Sequence, residues 1–181
     1  VVIRAQTITP EQQLRFAEAF GKPDIYPFLL GLEGFPMITE VLKKETEKVN
    51  FGGAWHSDTP YQPCPPMATV LHAKELPPLG GDTLFANQYA AYAQLSDGLK
   101  SCLEALKGVN VAGKKQVSAT RSERVRELGS GVRAEQMCGI HPVVRTHPET
   151  DKRALFVNPA HTVKFDGWTE QESEGLLNHL F

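Results

Sequence analysis

Apolar and polar positions along this chain mark short elements separated by turn residues. Thr9-Pro10-Glu11-Gln12 is a helix start. Thr9 can accept from the backbone, Pro10 suits the first helical position, and Gln12 completes a capping box. Leu14, Ala17 and Phe20 then fall on one face, and Gly21 stops the helix. Pro36 to Leu42, Ala68 to Leu76 and Phe85-Ala86 read as strands, with 43–49 a polar connection. Tyr89, Tyr92 and Ala93 predict a short helix over 87–95. Ser96 caps another that carries Leu99, Leu103 and Leu106 and stops near Gly108. Residues 140–146 and 153–157 return to a strand pattern, with 147–151 as the hairpin loop between them. Thr169-Glu170-Gln171-Glu172 is a second capping box, opening a helix with Leu176, Leu177, Leu180 and Phe181.

Between residues 108 and 139 the periodicity fades. This stretch is polar and carries Gly113, Gly129 and Gly131. Lys114, Lys115, Arg121, Arg124, Arg126 and Arg133 interleave with Glu123, Glu127 and Glu135, the pattern of a solvated segment. A stretch of that length inside a domain predicts a mobile lid over 114–139. The last helix has no capping signal at Phe181, and Val1-Val2-Ile3-Arg4 looks like a strand entered midway. The expectation is a polypeptide that continues at both ends. Within 1–181 the pattern predicts one domain, mostly β with flanking helices, built as a barrel or sandwich.

Composition narrows the partners. Of 181 residues, 41% are hydrophobic and 22% charged, and the net charge of -2 gives no reason to expect nucleic acid or an anionic membrane as partner. No apolar run approaches the ~20 residues of a membrane span. Cys64, Cys102 and Cys138 are odd in number and widely spaced, which disfavours a disulfide framework and fits a reducing, cytoplasmic setting. Self-association is left open.

The candidate chemistry sits in Trp55-His56-Ser57-Asp58. On an extended backbone, side chains two apart share a face, so an imidazole and a carboxylate stand side by side. Those are two of the three ligands of a facial triad. The tripeptide is common, and two polar residues on a surface strand would look the same. Its context is more specific: Phe51-Gly52-Gly53-Ala54 leads in with glycines, and Thr59-Pro60, Pro63, Pro65 and Pro66 end the strand. His72, in phase with Ala68 and Val70, would complete a zinc hydrolase site with His56, Asp58 and a bound water. His161 follows Asn158-Pro159-Ala160 after a strand, where pocket residues are often found. His141 could brace a loop near the site, and Arg145 would pair with Glu149 or Asp151.

These motifs together resemble a known family. Thr9-Pro-Glu-Gln-Gln with Phe20-Gly21, Trp55-His-Ser-Asp58, Ala73-Lys-Glu-Leu-Pro77, Gly80-Gly-Asp-Thr83, His141-Pro-Val-Val-Arg-Thr-His-Pro148 and Leu155-Phe-Val-Asn158 occur in this order. The chain is similar to the taurine dioxygenase-like group of Fe(II)- and 2-oxoglutarate-dependent dioxygenases, which includes phenoxyalkanoate dioxygenases. The resemblance implies a double-stranded β-helix (jelly-roll) and a reaction that uses Fe(II), 2-oxoglutarate and O2 to oxidise a small organic acid such as a sulfonate or carboxylate. By position it makes His56 and Asp58 iron ligands, Thr83 the hydroxyl on the 2-oxoglutarate carboxylate, and Tyr26 a substrate-pocket residue. Pro23 and Gly52 stand where the taurine enzymes carry His and Asn, so taurine itself is not expected. The family's third ligand and its 2-oxoglutarate arginine would lie beyond Phe181. A catalytically incomplete jelly-roll that binds a small molecule or a partner is the remaining reading.

Overall fold

The computed structural model describes the backbone of residues 1–181 and all side chains except those at 116, 118 and 121–124. The charges expected at Arg121, Glu123 and Arg124 therefore lie outside the described residues.

Both capping boxes form. Gln12 N donates to Thr9 Oγ1 at 3.3 Å while Thr9 N donates to Gln12 Oε1 at 2.9 Å, opening α1 (Pro10–Glu18). Asn87 and Ser96 cap α2 (Gln88–Gln94) and α3 (Asp97–Leu103) by accepting from backbone N–H groups that the first turn leaves without partners. After α3 come β1 (Lys107–Val111), α4 (Lys115–Leu128), β2 (Cys138–Pro142), β3 (Val144–Thr146), β4 (Arg153–Leu155) and β5 (Thr162–Phe165). The second capping box, on Thr169, opens α5 (Glu170–Leu180).

β1 lies between β2 and β5, antiparallel to both, with Val109 opposite Ile140 on one side and Lys164 on the other. β3 and β4 form a separate hairpin, Arg145 opposite Ala154. Phe165, Leu103, Val143 and Leu177 are sealed from solvent and join Leu155 and Val157 in the main core. α3 and α5 each contribute one of these, so the helices cover the sheets; Phe165 N donating to Ser173 Oγ at 3.0 Å ties α5 to β5. Each such side chain stabilises the fold by roughly 1.5–3 kcal/mol through burial. A smaller cluster of Phe28, Tyr61 and Ala112, flanked by Tyr26 and Met137, leads toward the His56 segment.

Several expectations are corrected. The stretch without periodicity contains α4 and, at 134–136, a single 3-10 turn. Its Val125 and Leu128 are exposed, so no apolar stripe announced the helix, although Lys, Arg, Glu and Leu are good helix formers. Residues 36–42, 68–76 and 85–86 form no ladder among the described residues, and neither does 55–58, where the chain bends at Asp58. A strand needs hydrogen-bonded neighbours as well as an apolar pattern. Sheets flanked by helices are present, but the helices hold more residues than the strands. Arg145 stacks its guanidinium 4.4 Å above the Phe156 ring instead of pairing with Glu149 or Asp151.

Candidate metal centre

The His56 segment is attached to the central sheet through one turn. His141 on β2 donates its Nε2–H to the carbonyls of Pro60 at 2.8 Å and Gln62 at 3.0 Å, so it does brace this loop. Gly139, two residues earlier on the same face, makes the close approach feasible. A Cβ there would stand 2.5 Å from Pro60 O. Pro60 and Tyr61 are buried by this docking. Just before them Thr59 takes φ +45°, uncommon for any residue with a Cβ and most unusual for a β-branched one. Past that kink the chain becomes accessible, and Asp58 and His56 are partly exposed.

The two side chains converge. His56 Nδ1–H donates to Ala54 O at 2.7 Å, which leaves Nε2 as the acceptor nitrogen of the neutral ring. Nε2 lies 3.2 Å from Asp58 Oδ1. Two lone-pair atoms that close need a proton or a cation between them. Ligand atoms bonded at about 2.1 Å, with a bite near 90°, are ~3 Å apart. The other carboxylate oxygen, Asp58 Oδ2, accepts from Thr69 Oγ1 and is thereby oriented. Without a metal the proton serves. The hydrogen bond to Asp58 holds the His56 pKa above its ordinary value despite partial desolvation, and the bond to His56 holds Asp58 below its own.

Of the substrate-side candidates Gly52 borders this pair directly, while Tyr26 and His161 belong to a chain of aromatic contacts that starts at Phe51. Gly52, at φ +70°, presents its backbone to the ring, and a Cβ there would meet His56 Cε1 at 3.3 Å and Nε2 at 3.7 Å. Phe51 packs edge-on to Tyr26 at 6.3 Å, and Tyr26 to Phe28 at 5.6 Å. Phe28 contacts Tyr61, whose ring lies 5.1 Å from that of His161. His161 is buried, donates Nδ1–H to Val111 O at 3.0 Å, and lies within electrostatic reach of Asp58. Thr83 is exposed, outside any helix or strand, and among the described residues makes no hydrogen bond to the pair.

His72 does not join them. Its Nε2 faces Gln6 O at 3.4 Å, and among the described residues no group of three His, Cys, Asp or Glu side chains gathers. The zinc arrangement of His56, Asp58 and His72 is therefore not formed. The sequence reading overlooked Thr69 and the Ala54 carbonyl, the partners that orient each ligand. A hydroxyl on the next extended run was the available signal for Thr69.

Comparison with known proteins identifies the family. The pattern of the taurine catabolism dioxygenase TauD, TfdA family matches residues 1–181, and the chain belongs to that family. An alpha-ketoglutarate-dependent sulfonate dioxygenase of Saccharomyces cerevisiae is 38% identical over 129 residues, 71% of this chain and 30% of that protein. An alpha-ketoglutarate-dependent sulfate ester dioxygenase of Pseudomonas putida is 29% identical, covering 100% of this chain and 59% of its own. The crystal structure of a taurine dioxygenase from Burkholderia xenovorans superposes with a TM-score of 0.71 at 30% identity, over 97% of this chain and 55% of that one. The chain thus spans between about a third and three-fifths of the length of these relatives. Dioxygenases of this family use Fe(II), 2-oxoglutarate and O2. The nitrogen–oxygen pair formed by His56 and Asp58 fits such an ion, as two of its ligands.

Proposed function

We propose that this chain supplies two iron ligands, His56 and Asp58, to an Fe(II)- and 2-oxoglutarate-dependent dioxygenase that oxidises a small organic acid such as a sulfonate or carboxylate. The observation that carries the reading is the 3.2 Å contact between Nε2 and Oδ1, with the outward atom of each group already engaged by Ala54 and Thr69. Bound iron with its co-substrates supplies the oxidising chemistry. The protein's part is orientation. The Ala54 carbonyl fixes the His56 tautomer, and the Thr69 hydroxyl turns one carboxylate oxygen toward it. Thr83 offers a hydroxyl to the 2-oxoglutarate carboxylate. Tyr26, Gly52 and His161 line the substrate side, and 114–139 is the lid above it. The whole assembly is a jelly-roll, as the likeness to the taurine dioxygenase structure supports. For residues 1–181 alone, the lack of a third ligand among the described residues favours an incomplete site that binds without turnover.

The test measures succinate release under Fe(II), ascorbate and O2, with residues 1–181 beside the polypeptide carried to its natural terminus. The longer form should turn over 2-oxoglutarate and lose at least ~100-fold on His56→Ala, since removing even a group that only orients a ligand costs about 10–100-fold in metal affinity or activity. Undiminished turnover by His56→Ala would overturn the assignment. Equal rates from the two lengths would place the third ligand inside these 181 residues.

A further inference from the structure

We infer that Gly52 and Thr59 are positioning residues, two left-handed backbone kinks that bracket His56 and Asp58 and set the distance between them before any metal arrives. This rests on the metal reading above. The kinks stand at φ +70° and φ +45°. They do different jobs. Gly52 is needed for space. The His56 ring is fixed by Ala54 O on Nδ1, and its Cε1–Nε2 edge faces Gly52, where a Cβ would sit 3.3 Å from Cε1. A side chain there crowds the ring, which must shift by a few tenths of an ångström from the position that faces Asp58. Thr59 is needed for direction. Its successor Pro60 is docked under His141, while Asp58 before it is held by Thr69, so the one residue between them must turn the chain. The Thr59 hydroxyl is buried without a partner, so it does not explain why the backbone is held there. Strained conformations persist where the surroundings over-determine them, and they concentrate at functional sites.

The two roles predict opposite responses to one substitution. Asn tolerates positive φ better than other residues with a Cβ. Thr59→Asn should keep the kink, and Gly52→Asn should keep the backbone yet displace the ring. In the full polypeptide, Co(II) affinity read by visible absorption should stay within about threefold of wild type for Thr59→Asn. It should fall about 10–100-fold for Gly52→Asn, the range seen when the orientation of a ligand is lost. Thr59→Gly, which frees the turn, should fall measurably below Thr59→Asn. A metal-free measurement checks the steric claim. Gly52→Asn should cost less thermal stability in a His56→Ala background than in wild type, the remainder being the strain of a side chain at φ +70°, because among the described residues the ring is the only group a Cβ at 52 would meet within 4 Å. Wild-type Co(II) affinity in Gly52→Asn, or a stability loss equally large with and without the His56 ring, overturns the role of Gly52. Equal affinity in Thr59→Gly and wild type overturns that of Thr59. If wild type binds Co(II) no better than His56→Ala, the metal reading itself fails and this inference falls with it.

Discussion

His56 commits one ring nitrogen to Ala54 O and turns the other to Asp58, so in the metal-free protein the pair is held by a shared proton. Its pH dependence follows from both sides of that contact. The His56 pKa is raised above 6.5, so its contribution is complete below that value and is lost as pH rises through the raised one. The Asp58 pKa is lowered beneath 3.8, so its contribution is complete above that value and is lost as pH falls through the lowered one. One interaction underlies both, and it is at full strength between about pH 4 and 6.5. Urea midpoints of wild type and Asp58→Asn should differ most in that window and converge as pH rises past the raised His56 value. With both groups partly exposed, the difference should stay below about 1 kcal/mol. Metal binding should run the other way, strengthening as pH rises through the His56 value, because the ion displaces the proton. The pair was legible from its spacing of two, which keeps the side chains within reach of each other although no strand forms and the chain bends at Asp58. Thr69 was not, since the chain must fold back between residues 58 and 69 before its hydroxyl can reach Oδ2.

β2 carries the site more directly than any other strand, through His141 and Gly139. Gly139→Ala would drive a methyl to 2.5 Å from Pro60 O and 2.9 Å from Gln62 O. The turn must then lift off the strand, breaking the His141 bonds and exposing Tyr61. Overpacking of that kind costs about 1–3 kcal/mol, readable as a lower urea midpoint, with weaker metal binding alongside. An unchanged midpoint would show that the turn docks elsewhere. The elements divide sharply by legibility. Helices that open on Thr9, Asn87, Ser96 and Thr169 were readable because their caps are local chemistry within three residues. α4 was hidden because its described apolar side chains face no core. The runs at 36–42 and 68–76 were read as strands from composition alone, but strand identity depends on partners far away in sequence.

The molecule has two centres of burial with separate duties. The larger cluster around Phe165, Leu103 and Leu177 holds helices to sheet, while the smaller one of Phe28, Tyr61 and Ala112 lies behind the site. Phe165→Ala should cost about 3–5 kcal/mol. Against a typical total of about 5–15 kcal/mol, that should lower the unfolding midpoint far more than any change near His56. A local loss confined to α5, seen by hydrogen exchange, would show instead that the larger cluster does not govern the whole. The ends of α4 are tied down. At the start Lys114 Nζ donates to the carbonyls of Pro159 at 2.6 Å and Thr162 at 3.2 Å. At the finish Leu30 N donates to Leu128 O at 2.8 Å, Ser130 N donates to Phe28 O at 3.2 Å, and Lys44 pairs with Glu127. A strap fastened at both ends cannot swing open like a door.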